Sequence, residues 1–475
     1  MKMKKLLILS LALITALSFT ACKDDDKKKG SNNAINISTD DEYTSHIDFQ
    51  DYEGYEFRIL TRKNQLKSQY VEEETGDIVN DAVYKRNEEV KALFNIEITA
   101  TESNNSDTGT AALNGILAGD DQYDLLFPHS RSAFTYAIQN AAVNYNDVET
   151  IHLDKPWWAQ DIVNSADVNG YLYVLDGDIS TMRLAQSAAM FFNKDLFDEL
   201  GLEYPYQLVL DGEWTFDAFS KLVKKGSKDL NGDGVMHQDV DRFGYYTRDW
   251  QGPIAILYTA GQRIYDKNAR GIPTLTLNSQ KTTDVFEEFF DLTNSDHAFL
   301  ALNGRRDVKS GTNPFKEGRA LFHDGGLGNA QSMRNMEDDF GIIPMPKFTA
   351  EDKYAAIVNG YSSLMVMPIT VGDVNRTGAI TEALCAIGSR EVIPAFYNVS
   401  LQTKFARDAE SEKMIDIIKD AAIYDLGYIA GGTFQSCGYD LAHSTNQNFA
   451  SYYAASESAA QTALQEFNRA YGKLG

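Results

Sequence analysis

Residues 55–60 read YEFRIL, residues 95–100 read NIEITA, and residues 123–127 read YDLLF. The first two are runs of β-branched and aromatic residues, as strands are. The third is short and mostly apolar, as a strand covered on both faces would be. Helical segments separate them. Asp77 is placed to cap a helix in which Ile78, Ala82, Val83, Val90 and Phe94 follow helical spacing. A second helical run, 110–118, stops at Gly119. Strands alternating with helices pair in parallel through right-handed crossovers, so the chain reads as an α/β layered fold. The alternation continues with a strand over 171–175, helices over 194–200 and 215–225, and a strand near 243–246. A helix over 284–293, a strand over 340–344 and an Ala-rich helix over 448–471 follow. No internal repeat interrupts this order.

The 475 residues carry a formal charge of -24 and are 43% hydrophobic. This composition supports a full globular core and excludes a collagen-like or mostly disordered chain. The acidic balance repels phosphate backbones, so nucleic acid is not an expected partner. Three cysteines and no CxxC exclude a disulfide scaffold. Cys385 and Cys437 read as inert thiols.

The start of the chain reads as an address. Lys2, Lys4 and Lys5 precede an apolar run from Leu6 to Phe19, too short for an ordinary spanning helix. Thr20-Ala21-Cys22 then resembles the lipobox of bacterial lipoproteins, with Phe19 where Leu is usual. The resemblance implies a signal peptide over 1–21, lipid on the sulfur of Cys22, and anchoring at the outer face of a membrane. The following stretch is charged and poor in large apolar residues, so residues 22–50 are expected to be a flexible tether.

Residues 190–225 read MFFNKDLFDELGLEYPYQLVLDGEWTFDAFSKLVKK. The aromatic residue before Asn193-Lys194-Asp195-Leu196-Phe197, the pair Gly201-Leu202 and the run Trp214-Thr215-Phe216-Asp217-Ala218-Phe219 resemble extracellular solute-binding proteins of family 1. These are carbohydrate-type receptors of ABC importers. Phe243-Gly244-Tyr245, the block from Phe315 to Ala320 and FGIIPMP at 340–346 match in the same order. The resemblance implies a two-lobe fold of the type II periplasmic-binding-protein kind, with a hinge between the lobes. It places residues 51–180 with 362–425 in one lobe and 181–361 with 426–475 in the other. Crossings fall near 178–185, 359–364 and 423–432. Trp214 is expected in the core, and 315–322 is expected to hold a short helix leading into a strand.

A neutral sugar needs flat aromatic faces for its C–H surfaces and planar polar groups for its hydroxyls. His129 and Arg131 follow a strand at its carboxyl end, where ligands usually lie in open α/β sheets. Trp157 and Trp158 are adjacent, so their rings point differently and one is a candidate for the cleft. Gln186 sits on the first crossing. Asp249 and Trp250 follow the strand FGYYT, and Asp324 and Tyr361 occupy similar strand-end positions. A separate run, Asp229-Leu-Asn231-Gly-Asp233-Gly-Val235, matches the first seven positions of an EF-hand-type loop, with Asp241 one residue beyond the usual closing position. It is a candidate for a structural Ca²⁺.

No GxSxG, HExxH or metal-spaced histidine pair occurs. The reading is therefore a non-enzyme, a monomeric receptor that passes a sugar or oligosaccharide to permease subunits. A surface glycan-binding lipoprotein and a secreted glycan-active enzyme stay open as alternatives.

Overall fold

The computed structural model describes residues 42–104, 108–302, 313–402 and 409–473. The signal peptide, Cys22 and the tether as far as residue 41 lie outside the described residues. The last part of the expected tether, 42–50, is packed. Tyr43, Ile47 and Phe49 lie on the apolar core, and the Phe49 ring is 5.0 Å from that of Phe94. Three large apolar side chains in nine residues gain enough from burial to hold this segment down.

The first lobe is built on β1 (Tyr55–Thr61), β2 (Ile96–Glu102) and β3 (Leu125–Phe127), a parallel sheet in the order β2-β1-β3. Helices α1 (Ile78–Phe94), α2 (Gly109–Leu117) and α3 (Ser130–Ile138) alternate with the strands. The Asp77 carboxylate accepts from the N–H groups of Val79 and Asn80 at 3.1 and 3.0 Å, satisfying two orphan donors of α1. Val83, Val90 and Phe94 form its buried face. The expected strand over 171–175 is reduced to isolated bridges, Val168 with Tyr171 and Leu175 with Met365. The returning segment 363–368 takes up the pairing instead, bridging antiparallel to Leu126, His129 and Ala142.

The second lobe is built on a five-stranded sheet: β4 (Ala188–Asn193), β5 (Phe243–Arg248), β6 (Ala298–Ala301), β7 (Ala320–Gly326) and β8 (Phe340–Pro344), in the order β8-β4-β7-β5-β6. Parallel pairing holds for β5 with β6 and β7, but β4 runs antiparallel to β7 and β8. The crossover rule acts between strands of one sheet. Strand β4 arrives from the other lobe and is free of it. Helices α4 (Lys194–Glu199), α5 (Phe216–Gly226), α6 (Gly252–Thr259) and α7 (Gln280–Thr293) belong here.

The motif residues of this lobe are structural. Asn193 caps α4 through Leu196 N–H at 2.9 Å and donates to Asp338 at 2.7 Å. Thr215 caps α5. Trp214 is fully buried against Phe219 and Phe322, with its indole N–H on the Pro344 carbonyl at 2.9 Å. A Cβ at Gly244 would fall 1.8 Å from the Val223 carbonyl oxygen, so α5 approaches β5 only over a glycine. The expected helix within 315–322 is a turn over 314–318, followed directly by β7.

Three further helices complete the fold, and the last of them ties the lobes together. Helix α8 (Val374–Gln402) lies along α1, with Arg390 paired to Glu89 at 2.6 Å. Helix α9 (Ala409–Asp420) belongs to the second lobe, since Ser411 Oγ lies 3.1 Å from Tyr206 Oη and Ile415 and Ile418 join that lobe's core. The boundary expected at 425 therefore falls before 409. Helix α10 (Phe449–Tyr471) reaches both lobes. Phe449 stacks on Phe286 of α7, and Phe467 and Tyr471 meet Phe134 of α3. At 1.5 Å per residue its length is about 35 Å, enough to span two lobes. No helix among the described residues is long and apolar enough to cross a membrane.

Candidate functional site

Residues 359–361 pass between the lobes and gather the site. Asn359 N–H donates to the Gln186 carbonyl at 3.0 Å, and its Nδ2 donates to Gln251 Oε1 at 3.3 Å. Its Oδ1 accepts from Tyr361 N–H at 2.9 Å. Tyr428 Oη accepts from Gly360 N–H at 3.3 Å, and Ser130 Oγ donates to the Gly360 carbonyl at 2.7 Å. Both lobes and all three crossings thus meet at one short segment.

Around it lies a cavity of about 490 Å³ lined by His129, Arg131, Gln186, Trp250, Asn329, Asn359, Gly360, Tyr361 and Tyr428. A second cavity of about 260 Å³ shares Arg131, Trp250 and Tyr428, so the two form one cleft. Trp250 is 44% exposed and Tyr361 51% exposed, unusual for large rings in a folded chain. Each is positioned by a cation. The Arg62 guanidinium lies 4.2 Å from the Tyr361 ring centroid and also donates to the Tyr361 carbonyl. Arg248 lies 5.9 Å from that of Trp250. His129 caps α3, its Nδ1 accepting from Arg131 N–H at 3.3 Å, and its ring meets Tyr361 edge-on.

Five of the expected ligand residues, His129, Arg131, Gln186, Trp250 and Tyr361, are brought together here. Four are not. Trp157 and Trp158 are 2% and 1% exposed, and both indole N–H groups donate to the buried Glu382 carboxylate, at 3.1 and 3.0 Å. One inward carboxylate turns both rings into the core. Asp249 is fully buried, with Oδ2 2.7 Å from His443 Nε2, and it holds the C-terminal segment. Asp324 is 2% exposed and accepts from Tyr245 Oη at 3.0 Å inside the sheet. Three lining residues escaped the sequence reading. Asn329 follows β7 and lies outside the crossings, while Asn359 opens the second crossing and Tyr428 sits in the third; weighing every polar residue of the crossings would have found the last two.

Lining chemistry is uneven. Among the described residues, the lining side chains of both cavities include no carboxylate, and Arg131 is their one full cation. The rings of Trp250, Tyr361, Tyr428 and Tyr439 and several planar amides remain. Such a wall can stack against a ligand and hydrogen-bond it.

The acidic loop lies elsewhere. Asp229 accepts from Gly232 and Gly234 N–H at 2.6 and 2.8 Å, and Asp233 from Val235 N–H at 2.9 Å. Asn231 accepts from Asp233 N–H at 2.9 Å. Gly232 and Gly234 have positive φ, as the sharp turn needs. Both oxygens of the buried Asp241 are taken by Leu230 and His237 N–H. The carboxylates of Asp229, Asp233 and Asp241 do not converge on one point.

No protein-family model matches the sequence, and no curated protein matches it. Solved structures do share its fold. The GacH receptor of Streptomyces glaucescens GLA.O, solved unliganded and with acarbose, aligns over 86% of this chain and 99% of its own at 12% identity, TM-score 0.54. UgpB from Mycobacterium tuberculosis, in complex with glycerophosphocholine, covers 87% and 98% at 14% identity, TM-score 0.54. CpMnBP1 with mannotriose bound covers 88% and 100% at 16% identity, TM-score 0.51. The chain therefore has the two-lobe architecture expected from its sequence.

Buried carboxylates make the fold pH-dependent. Burial raises Asp324 to about 7, opposed by hydrogen bonds from Thr247 and Tyr245, and raises Asp176 and Asp178 at the first crossing to about 7 and 6. Each holds its proton in the folded chain at pH values where the unfolded chain has lost it. Stability contributed by these groups is complete below about pH 4 and falls as pH rises towards 7, by at most about 1.4 kcal/mol per unit per group. Urea midpoints should therefore be lower at pH 8 than at pH 5. Asp324→Asn should gain more stability over the native chain at pH 8 than at pH 5; an equal effect at both would refute the assignment.

Proposed function

We propose that the protein is a lipid-anchored, extracytoplasmic solute-binding receptor of an ABC importer, which encloses a sugar or oligosaccharide between its lobes and presents it to permease subunits. The observation that carries this reading is the cleft at residues 359–361. Two exposed aromatic rings and the polar groups of Arg131, Gln186, Asn329 and Asn359 face one cavity between the lobes. Trp250 and Tyr361 would stack on sugar rings while the amides and Arg131 hold hydroxyls. The lining without carboxylates supports binding over hydrolysis. Structural likeness to proteins solved with acarbose and mannotriose supports the substrate class. Micromolar affinity corresponds to about -8 kcal/mol, within reach of a few hydrogen bonds and two stacked rings after ordering costs. Closure about the crossings would then give the permease one compact surface to recognise.

In this reading the lipid on Cys22 keeps the receptor beside its permease, and it works as a monomer. The loop at 229–241 holds one Ca²⁺ through Asp229, Asn231, Asp233 and the Val235 carbonyl, with Asp241 closing the turn. Hard oxygen donors at alternate positions suit that ion, whose place is structural.

Five experiments test the reading. Calorimetry against a panel of oligosaccharides should find a ligand, and small-angle scattering should record a smaller radius of gyration with it. Trp250→Ala should weaken that binding by about 1–3 kcal/mol, the scale of a buried aromatic side chain. Tight binding of glycerophosphocholine or peptides and of no sugar would overturn the substrate class. For the loop, Ca²⁺ at 100 times its Kd should add about 2.7 kcal/mol to a metal-stripped sample. A melting temperature identical in calcium and chelator refutes that ion. Cys22→Ala should leave an unprocessed precursor or a released protein; a membrane-bound variant of mature size would exclude the anchor.

A further inference from the structure

Three side chains from distant stretches converge away from the cleft. His46 lies in the segment before β1, His152 in the loop preceding Trp157, and Glu382 on α8. One ring nitrogen of each histidine and one oxygen of Glu382 lie within 4.8 Å of one another. Among the described residues no other three His, Cys, Asp or Glu side chains meet in this way. His46 Nε2 is 3.0 Å from Glu382 Oε1, and His152 Nδ1 is 3.7 Å from the same oxygen. Tetrahedral zinc with bonds near 2.05 Å sets its ligand atoms about 3.3 Å apart. The two distances bracket that value, so small side-chain shifts would seat an ion.

The hydrogen-bond pattern points the same way. His152 Nδ1 is buried, faces the carboxylate and has no hydrogen-bond partner. A buried, unpaired imidazole nitrogen is costly unless something uses its lone pair. The carboxylate is held in place by others. Trp157 Nε1 donates to Oε1 at 3.1 Å, and Trp158 Nε1 and the His152 N–H donate to Oε2 at 3.0 and 3.1 Å. Oε1 then has one lone pair left for an ion in place of the His46 contact. Outer partners that aim a ligating carboxylate in this way are a general feature of metal sites.

We propose that His46, His152 and Glu382 form a site for one divalent transition-metal ion of the zinc class. Two imidazoles and one carboxylate select zinc, cobalt or nickel over calcium and magnesium. The adjoining cavity, about 260 Å³, leaves room for a water as fourth ligand, and its wall includes Asp48, Glu149 and Asp373. Arg376 on the same wall opposes a cation, but its guanidinium lies 3.6 Å from the Tyr55 ring centroid. Lys155 is a second nearby cation, set 5.9 Å over the Trp157 ring. The bound ion joins the segment carrying His46 to the loop of His152 and to α8. It would fasten the start of the folded body to the first lobe, independently of the sugar cleft and of the acidic loop.

The test uses the full chain in detergent, stripped with chelator and dialysed against Zn²⁺. One zinc per chain is expected, with the visible absorption of tetrahedral cobalt when Co²⁺ replaces it. His152→Ala and His46→Ala should each weaken zinc binding by at least about 100-fold, more than loss of an outer-shell partner. The His152 side chain is 39% exposed, so its variant should keep the native circular dichroism. No uptake by the native chain overturns the proposal, as does undiminished uptake by both histidine variants. Zinc lost on Asp229→Asn instead would place the ion in the acidic loop and overturn it equally.

Discussion

The N–H of Asn359 donates to the carbonyl of Gln186, and through that bond two chain crossings become one unit. The segment it opens is short of freedom on every side. Gly360 is held from the first lobe by Ser130 and from the third crossing by Tyr428, and Tyr361 lies under Arg62. Gly360 is buried, and buried backbone groups have no water to satisfy them, so each must find a partner in protein. Meeting that demand places the lining side chains from both lobes around one space.

Charge is arranged against the overall composition. The chain is strongly acidic, yet the cleft is lined by an arginine, amides and rings. Several carboxylates are buried instead, where neutral partners hold them. Asp324 sits beside Tyr245, Asp176 beside Tyr424, and Glu382 beneath two indoles. Removing carboxylates from the cleft keeps it suited to uncharged ligands, and placing them in the core couples stability to pH. Cys385 and Cys437 are buried free thiols, so no disulfide joins segments of the described body.

Elements with local causes were legible. Asp77 announces a helix start and caps it, and the helical runs near 194, 215 and 448 begin where Asn193, Thr215 and Asn448 cap them. Period-two and all-apolar runs located β1, β2, β3 and β8. What misled was pairing. Residues 171–175 carry the pattern of a strand but find only isolated bridges, and β4 joins its sheet antiparallel. Helix α9 followed one lobe in sequence and packed on the other, because Ile415 and Ile418 had an apolar face to fill there.

The aromatic residues divide what sequence determined from what only the tertiary structure decided. Local pattern established the α/β order, the helix caps and the strand-end loops, since these rest on spacing and on backbone groups a few residues away. It also placed Trp250 and Tyr361 in loops after strands, where a cleft is expected. It could not tell those rings from Trp157 and Trp158, which sit in a loop of similar composition. That distinction was made by Glu382, 224 residues beyond Trp158, whose buried carboxylate needs hydrogen-bond donors and draws both indoles inward. A side chain's exposure depends on what the rest of the chain brings beside it, and that is settled only when distant segments meet.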